Sequence, residues 1–291
     1  MGRRARPPRR NPVPASSKRR FDSDRSPLPR PTSDYREFTP RAGLDSWVGC
    51  LWSQTIGPSG ADFLQRVLPD GCADIVWIGH GGPRVVGPAT RTVIERLPPG
   101  SNVVGIRFRP GATAAALGIS AAELCNAQAE LDAVVGRRTA LNFERAAEAP
   151  TLAAKLAAVD EAMRLHLANR PAPDPVVVAV VSLLEQRLTP PVRDITAAAG
   201  PGLSERQIRR RFRTAVGYGL KTFQRVARLR RLRALASSPA RLRHLAMVAY
   251  DLGYADQAHM TREITLLAGV SPALLVRHAA RIQTASDPFT Q

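Results

Sequence analysis

A short residue pattern occurs twice in the C-terminal third of this chain, and it narrowly limits what the chain can fold into. The two copies are Ser204-x3-Ile208-x-Arg210-x-Phe212-x4-Gly217 and Asp256-x3-Met260-x-Arg262-x-Ile264-x4-Gly269. Each copy begins with a side chain that can cap the first turn of a helix, and each ends at a glycine, where helices commonly stop. The pattern therefore predicts two short α-helices, over residues 204–216 and 256–268.

The side chains of the first predicted helix divide into an apolar stripe and a basic arc. At about 100° per residue, Phe212 and Val216 lie about 40° and 80° from Ile208, so this stripe is expected to pack inward. Between about 100° and 200° on the same scale lie four arginines, which we call the basic arc: Arg206, Arg209, Arg210 and Arg213. The same arc of the second helix carries Ala258, Thr261, Arg262 and Thr265. A short helix with an apolar back and an exposed basic or polar arc suits the DNA major groove.

Helix-like segments that end at a glycine precede both copies, at residues 192–200 and 242–253. A helix, a short turn with glycine and a second, capped helix form a helix-turn-helix. An amphipathic segment over residues 220–236 predicts one continuous helix between the two units.

Residues 192–277 resemble the double helix-turn-helix domain of the AraC/XylS-type transcription regulators. The resemblance is carried by the first pattern, by Ala249-x3-Gly253-Tyr254-Ala255-Asp256-Gln257-Ala258-His259-Met260-x-Arg262, and by Gly269-Val270-Ser271-Pro272. It implies that both recognition helices enter successive major grooves of double-stranded DNA, about 34 Å apart on one face.

The resemblance also implies which side chains contact DNA. In the first helix it assigns base contacts to Arg206, Arg209 and Arg210. In the second helix it assigns them to Gln257, Ala258, Thr261 and Arg262. Arg213 lies on the same arc and joins this set, with a phosphate contact or a solvated surface position as its favoured role. Structural ion pairs are the alternative role for Arg210 and Arg262. Since the second arc is only weakly polar, we expect the first unit to dominate DNA affinity.

The distribution of charge agrees with a polyanionic partner for the C-terminal region. The chain has a net charge of +18, of which residues 1–34 carry +7, residues 35–189 carry none and residues 190–291 carry +11. A neutral middle between two basic segments localises the contact with DNA rather than spreading it over the protein.

Residues 35–149 have the sequence pattern of a mainly-β domain. Short apolar or alternating segments at 47–55, 65–68, 73–78, 84–86, 92–97 and 102–108 are divided by turns rich in Pro and Gly, and short helices are expected at 110–117 and 120–125. Leu68-Pro69-Asp70-Gly71-Cys72-Ala73-Asp74, Val86-Gly87-Pro88 and Ile106-x-Phe108-x-Pro110-Gly111 resemble the uncharacterised N-terminal domain of one branch of the same family. By analogy this domain would sense a small molecule or mediate dimerisation. Trp47, Trp52 and Trp77 either form its core or line a pocket.

The remaining segments complete a predicted α+β architecture, a mainly-β regulatory domain followed by an all-α domain. Residues 1–34, rich in Pro and Arg, are expected to be a disordered tail, which either adds DNA affinity or is a solubilising extension or a misplaced start. Residues 150–174 form a helical linker or a dimerisation helix, residues 175–281 the DNA-binding domain, and residues 282–291 a tail. The three cysteines predict buried free thiols in a reducing cytoplasm, with a redox or metal role as the alternative.

These features predict a cytoplasmic, sequence-specific transcription regulator that is not an enzyme and needs neither metal nor cofactor. DNA is the main partner; an effector molecule, RNA polymerase and a second copy of the chain are further candidates, and no membrane segment is expected. Two alternative functions compete with this prediction. A methyl-accepting DNA-repair protein would need a zinc-activated cysteine, and the sequence has no Cys-x2-Cys pair. A nucleoid-type protein would bind DNA without sequence preference through the arginine-rich tail.

Overall fold

A computed structural model describes residues 11–12, 32–58, 61–79, 81–236 and 245–277. The strands are β1 (Asn11–Pro12), β2 (Ser33–Phe38), β3 (Val48–Ile56), β4 (Phe63–Val67), β5 (Asp74–Ile78), β6 (Arg84–Val86), β7 (Val93–Leu97), β8 (Asn102–Phe108) and β9 (Ala127–Glu130). The helices are α1 (Thr113–Leu117), α2 (Ala121–Leu124), α3 (Leu131–Val135), α4 (Arg137–Ala147), α5 (Leu152–Leu167), α6 (Pro175–Gln186), α7 (Val192–Ala199), α8 (Glu205–Val216), α9 (Leu220–Ala236), α10 (Leu245–Asp251), α11 (Gln257–Ala268) and α12 (Pro272–Arg277). The mainly-β N-terminal domain and the all-α C-terminal region are those predicted.

The described strands form two antiparallel sheets. The larger sheet has the order β1-β9-β6-β5-β8-β3-β2, and β4 pairs with β7 in a two-stranded sheet. One face of the larger sheet forms the main core with α4 and α5, where Trp77 and Phe108 pack near Phe143 and Met163. The opposite face carries Trp52, which packs in a smaller cluster with Leu97 of β7.

Two of the three tryptophans belong to the core rather than to a pocket. Trp77 and Trp52 are buried, on opposite faces of the larger sheet. Trp47 packs against the main core and donates its indole N–H to the Pro171 carbonyl oxygen at 3.1 Å. The apolar rings therefore stabilise the N-terminal domain directly.

The predicted boundaries differ from the structure at both ends of the N-terminal domain. The tail predicted over residues 1–34 lies outside the described residues, except for Asn11, Pro12 and residues 32–34; β2 begins at Ser33, which pairs with Ile56 of β3. At the other end, α5 occupies much of the predicted linker, and its Leu156, Val159 and Met163 are buried in the main core. This helix is thus packed as part of the N-terminal domain. The tail predicted over residues 282–291 also lies outside the described residues.

The C-terminal domain is organised around α9, the continuous helix that the sequence predicts between the two units. Phe223 and Val226, in its first half, pack with α6, α7 and α8. Leu229 and Leu232, in its second half, pack with α10, α11 and α12. Because one rigid helix contributes to both clusters, the two helix-turn-helix units hold a fixed spacing.

Candidate DNA-binding surface

Both predicted recognition helices form and are capped at both ends. At the start of α8, Ser204 Oγ accepts from the Gln207 backbone N–H at 3.3 Å, and Gln207 Oε1 accepts from the Ser204 N–H at 2.8 Å, which completes a capping box. At the start of α11, Asp256 accepts from the His259 N–H at 2.6 Å. Gly217 and Gly269 end the two helices in the left-handed conformation, with φ of 100° and 70°.

Helix α8 buries its apolar stripe and leaves the basic arc at the surface. Ile208, Phe212 and Val216 are buried, and the Phe212 ring meets the Phe223 ring edge to face with centroids 5.6 Å apart. All four arginines of the basic arc are exposed: Arg206, Arg209, Arg210 and Arg213. Arg209 Nη2 lies 2.8 Å from Glu205 Oε2, but both side chains are at least half exposed, so this ion pair contributes little and can be exchanged for a DNA contact.

The arginines of α8 differ in how close they lie to the N-terminal domain. Arg210 and Arg211 line a groove of about 520 Å³ between α1 and α8, and Arg211 Nη1 lies 3.5 Å from Asp174 Oδ2. Arg210 therefore occupies the edge of the basic arc, and Arg211 faces the rest of the protein. Neither Arg210 nor Arg262 forms an ion pair with any described residue, so nothing in this part of the chain favours a structural role for them.

Helix α11 has the same arrangement with a less charged surface. Met260, Ile264 and Leu267 are buried, whereas Gln257, Ala258 and Arg262 are exposed. Thr261 is half-buried, and its hydroxyl donates to the Gln257 carbonyl oxygen at 2.8 Å. The Thr261 hydroxyl oxygen can therefore still accept a hydrogen bond from another group. Arg262 is the one positively charged residue among the predicted DNA contacts of this helix.

Glu263 anchors α11 to α9 through a half-buried ionic cluster. Arg228 of α9 donates to both Glu263 carboxylate oxygens, at 2.7 and 2.9 Å, and Arg225 Nε lies 3.2 Å from Oε2. Tyr254 donates its hydroxyl to Glu263 Oε1 at 2.9 Å, and the Arg228 guanidinium stacks on the Tyr254 ring at 4.7 Å. The Glu263 and Arg228 side chains are only 10% and 11% exposed. Glu263 therefore lies on the side of α11 that packs against α9, away from the exposed arc of Ala258 and Arg262.

The N-terminal domain holds the C-terminal end of each recognition helix. At the end of α11, Thr92 donates its backbone N–H and its hydroxyl to the Leu267 carbonyl oxygen, at 2.9 and 2.8 Å. Arg66 donates to the Ala268 carbonyl oxygen at 2.9 Å, a favourable place for a cation because carbonyl groups at a helix end carry partial negative charge.

At the end of α8, the contact with the N-terminal domain is made by packing. A Cβ atom on Gly217 would lie 2.6 Å from Pro88 and 3.0 Å from the Ala121 carbonyl oxygen. Gly71 and Gly111 also leave no free space for a Cβ atom, because Gly71 lies against the Phe223 ring and Gly111 lies against Val177. The loops that carry the N-terminal sequence resemblance therefore all lie against the DNA-binding domain, a role that their sequence alone did not reveal.

The three cysteines have the properties of protonated, structural thiols. All are free and half-buried. Burial raises the pKa of Cys50 to about 12, and burial also raises the pKa of Cys72 and Cys125. A methyl acceptor needs a thiolate, so these surroundings do not favour that chemistry. The described residues contain no group of three or more His, Cys, Asp or Glu side chains suited to a metal ion.

Comparisons with known proteins match the two halves of the chain separately. Residues 197–278 match a family described as a helix-turn-helix domain, and residues 36–130 match a domain of unknown function (DUF6597). The sequence gives no match among the curated proteins. Among solved structures, the chain is similar to ToxT from Vibrio cholerae O395, with a TM-score of 0.41 and 8% identity over 85% of this chain and 97% of that one. It is also similar to unsaturated fatty acid bound wild-type ToxT from Vibrio cholerae strain SCE256, with a TM-score of 0.38 and 10% identity over 87% and 97% of the chains.

These matches and the site geometry define a class of protein. The chain is a DNA-binding transcription regulator, in which a DUF6597 domain precedes a helix-turn-helix domain of the AraC type. Among the described residues, no helix combines the length and apolar character that crossing a bilayer requires.

Proposed function

We propose that this protein binds specific DNA sequences in the cytoplasm by inserting α8 and α11 into successive major grooves. The observation that carries this proposal is that both capped helices, held by the shared helix α9, bury their apolar stripes and expose their arcs. Arg206, Arg209 and Arg210 contact bases from α8, with Arg213 on phosphate; α11 contributes Gln257, Ala258, Thr261 and Arg262.

The two helices contribute unequally to binding. Four arginines on α8 supply most of the electrostatic affinity, whereas α11 supplies one arginine and otherwise uncharged side chains. Each phosphate contact steepens the salt dependence of binding by about 0.9 in the logarithmic slope. Scrambling the DNA block bound by α8 should therefore lower affinity more than scrambling the block bound by α11; an equal loss would contradict this division.

The N-terminal domain modulates DNA binding by setting the positions of both recognition helices. Support comes from its contacts at the ends of α8 and α11, through Pro88 and Ala121 at one end and Arg66 and Thr92 at the other. A change in this domain can reach either helix without crossing a flexible segment. A second copy of the chain and RNA polymerase remain predicted partners. That prediction rests only on the family resemblance.

Alanine substitutions at the two helix-ending glycines form a matched test of this contact. Both Gly217→Ala and Gly269→Ala place a Cβ in a left-handed residue, which costs about 1–2 kcal/mol. Gly217→Ala also drives that Cβ into Pro88 and a backbone carbonyl group, whereas the Cβ of Gly269→Ala would meet the end of the Arg66 side chain, at 3.1 Å from Nη1. We expect Gly217→Ala to lower the free energy of unfolding by about 1–3 kcal/mol more than Gly269→Ala, measured by urea denaturation. Equal losses would mean that α8 is not held against the N-terminal domain.

A further inference from the structure

One loop of the N-terminal domain, residues 87–92, contacts both recognition helices, and we call it the bridging loop. Pro88 lies against Gly217 at the end of α8. Thr92 donates its backbone N–H and its hydroxyl to the Leu267 carbonyl oxygen at the end of α11. Since Thr92 follows Pro88 by four residues, the chain between the two contacts spans at most about 14 Å. A single short segment therefore holds the C-terminal ends of both helices.

Hydrogen bonds and close packing hold the bridging loop in one conformation. Asn126 accepts a hydrogen bond from the Thr90 backbone N–H at 2.8 Å, and its side-chain amide donates to the Thr90 hydroxyl at 2.9 Å. The Asn126 backbone N–H donates to the Pro88 carbonyl oxygen at 3.1 Å. At the start of the loop, a Cβ atom on Gly87 would overlap the Leu124 carbonyl oxygen. A side chain on this loop therefore keeps a fixed position relative to both recognition helices.

The bridging loop borders the basic arc of α8. On the helical scale used for that arc, Gly217 lies at about 180°, so Pro88 meets α8 at the C-terminal end of the arc. Burial raises the pKa of the Cys125 thiol, and the Arg213 guanidinium opposes that rise, so Arg213 lies near the residue that precedes Asn126. The loop thus lies beside the surface of α8 that the proposed function places against DNA.

Arg91 provides the bridging loop with an exposed cation. Its side chain forms no hydrogen bond or ion pair with any described residue. Several other exposed arginines of this domain have carboxylate partners, such as Arg36 with Asp34 at 2.8 Å and Arg84 with Glu130 at 3.1 Å. An arginine on a fixed loop without a carboxylate partner keeps its whole charge available for a phosphate group.

The geometry of DNA places a stretch of its backbone opposite the bridging loop. Two successive major grooves on one face of B-DNA are separated by one minor groove, which phosphates of both strands border. With α8 and α11 in those major grooves, a segment that connects the two helices faces this minor groove. Recognition helices read bases mainly with their N-terminal residues, so a segment at their C-terminal ends meets the DNA backbone rather than base edges.

We infer that the N-terminal domain is itself part of the DNA interface, and that Arg91 binds a phosphate bordering the minor groove between the two DNA blocks. The location of this contact rests on the proposed function, which it extends from two recognition helices to three contact points. Phosphate contacts fix the register of a protein on DNA. Because Arg91 shares its loop with Pro88 and Thr92, its contact is linked to the positions of both recognition helices.

Substitutions of Arg91 test this inference by titration of target and scrambled DNA over a series of salt concentrations. Arg91→Ala should raise the Kd about three- to tenfold on both DNAs and reduce the logarithmic salt slope by about 0.9, since one phosphate contact is lost. Arg91→Lys keeps the positive charge and should retain most of the affinity. The matched control is Arg145→Ala on α4, which removes another exposed arginine without a partner among the described residues and should leave the slope unchanged.

Hydroxyl-radical footprinting of the target locates the contact. We expect Arg91→Ala to lose protection at the backbone of the intervening minor groove, while both blocks stay protected. An unchanged salt slope, an equal loss of affinity for Arg91→Lys and Arg91→Ala, or lost protection of the block bound by α8 or α11 would contradict the inference. If the wild-type protein showed no two-block motif, the proposed function would fail, and the salt slope on any DNA would still decide whether Arg91 binds phosphate.

Discussion

Replacing Glu263 by alanine is expected to lower the free energy of unfolding by about 3–5 kcal/mol, because it leaves the largely buried Arg228 guanidinium without its carboxylate partner. Arg228 would lose three hydrogen bonds in a position only 11% exposed, and the Tyr254 hydroxyl would lose its acceptor. The measurement is urea denaturation of the full chain followed by tryptophan fluorescence and circular dichroism.

Loss of Glu263 should also have a local effect on DNA binding. Since the carboxylate links α11 to α9, we expect DNA footprinting to show weakened protection of the block bound by α11, while the block bound by α8 stays protected. Glu144→Ala is the control, because its partner Arg137 is largely exposed and such pairs contribute about 1 kcal/mol or less. If both variants lost the same small amount of stability, the Glu263 cluster would not anchor α11.

Replacing Arg209 by alanine should reduce affinity for the target sequence by about 1–3 kcal/mol and relax the base preference at one position. Arg209 lies within the exposed basic arc, and its pairing with Glu205 is weak enough to be exchanged for a guanine contact. The measurement is titration of the target and of scrambled DNA by fluorescence anisotropy at fixed salt concentration.

The neighbouring Arg211 provides a matched control on the same helix. Arg211→Ala removes the same charge, but Arg211 lies outside the basic arc and faces Asp174. We expect it to weaken target and scrambled DNA equally and by less than Arg209→Ala does on the target. If Arg209→Ala also caused equal losses on both DNAs, Arg209 would be a phosphate contact and not a base contact.

The sequence predicted those features that depend on neighbouring residues in the chain. The capping box of Ser204 and Gln207 and the glycine at position 217 define α8 locally, and the 3.6-residue period places Phe212 inside and Arg209 outside. Six of the strands were predicted because they are apolar segments bounded by Pro and Gly turns. β9 was missed because Ala127–Glu130 has no β-branched or aromatic residue, and it forms by pairing with β6.

Contacts between distant parts of the chain could not be predicted in this way. No local pattern in the sequence indicated that Arg225 and Arg228 would lie against Glu263. The spacing of apolar residues in α5 predicted a helix, yet the same spacing fits a linker, a dimerisation helix or the core helix that is observed. The contacts of Arg66 and Thr92 with α11 likewise depend on how the two domains pack, for which no local pattern exists.

Selection of sheared genomic DNA by the purified full chain at about physiological salt concentration, followed by sequencing, tests the central claim most directly. We predict that the bound fragments share two short blocks whose centres lie about 10–10.5 base pairs apart, one helical turn, because α8 and α11 occupy successive major grooves. Enrichment of fragments that share no motif would contradict the account, since the basic arc would then bind phosphates only and the protein would coat DNA without sequence preference.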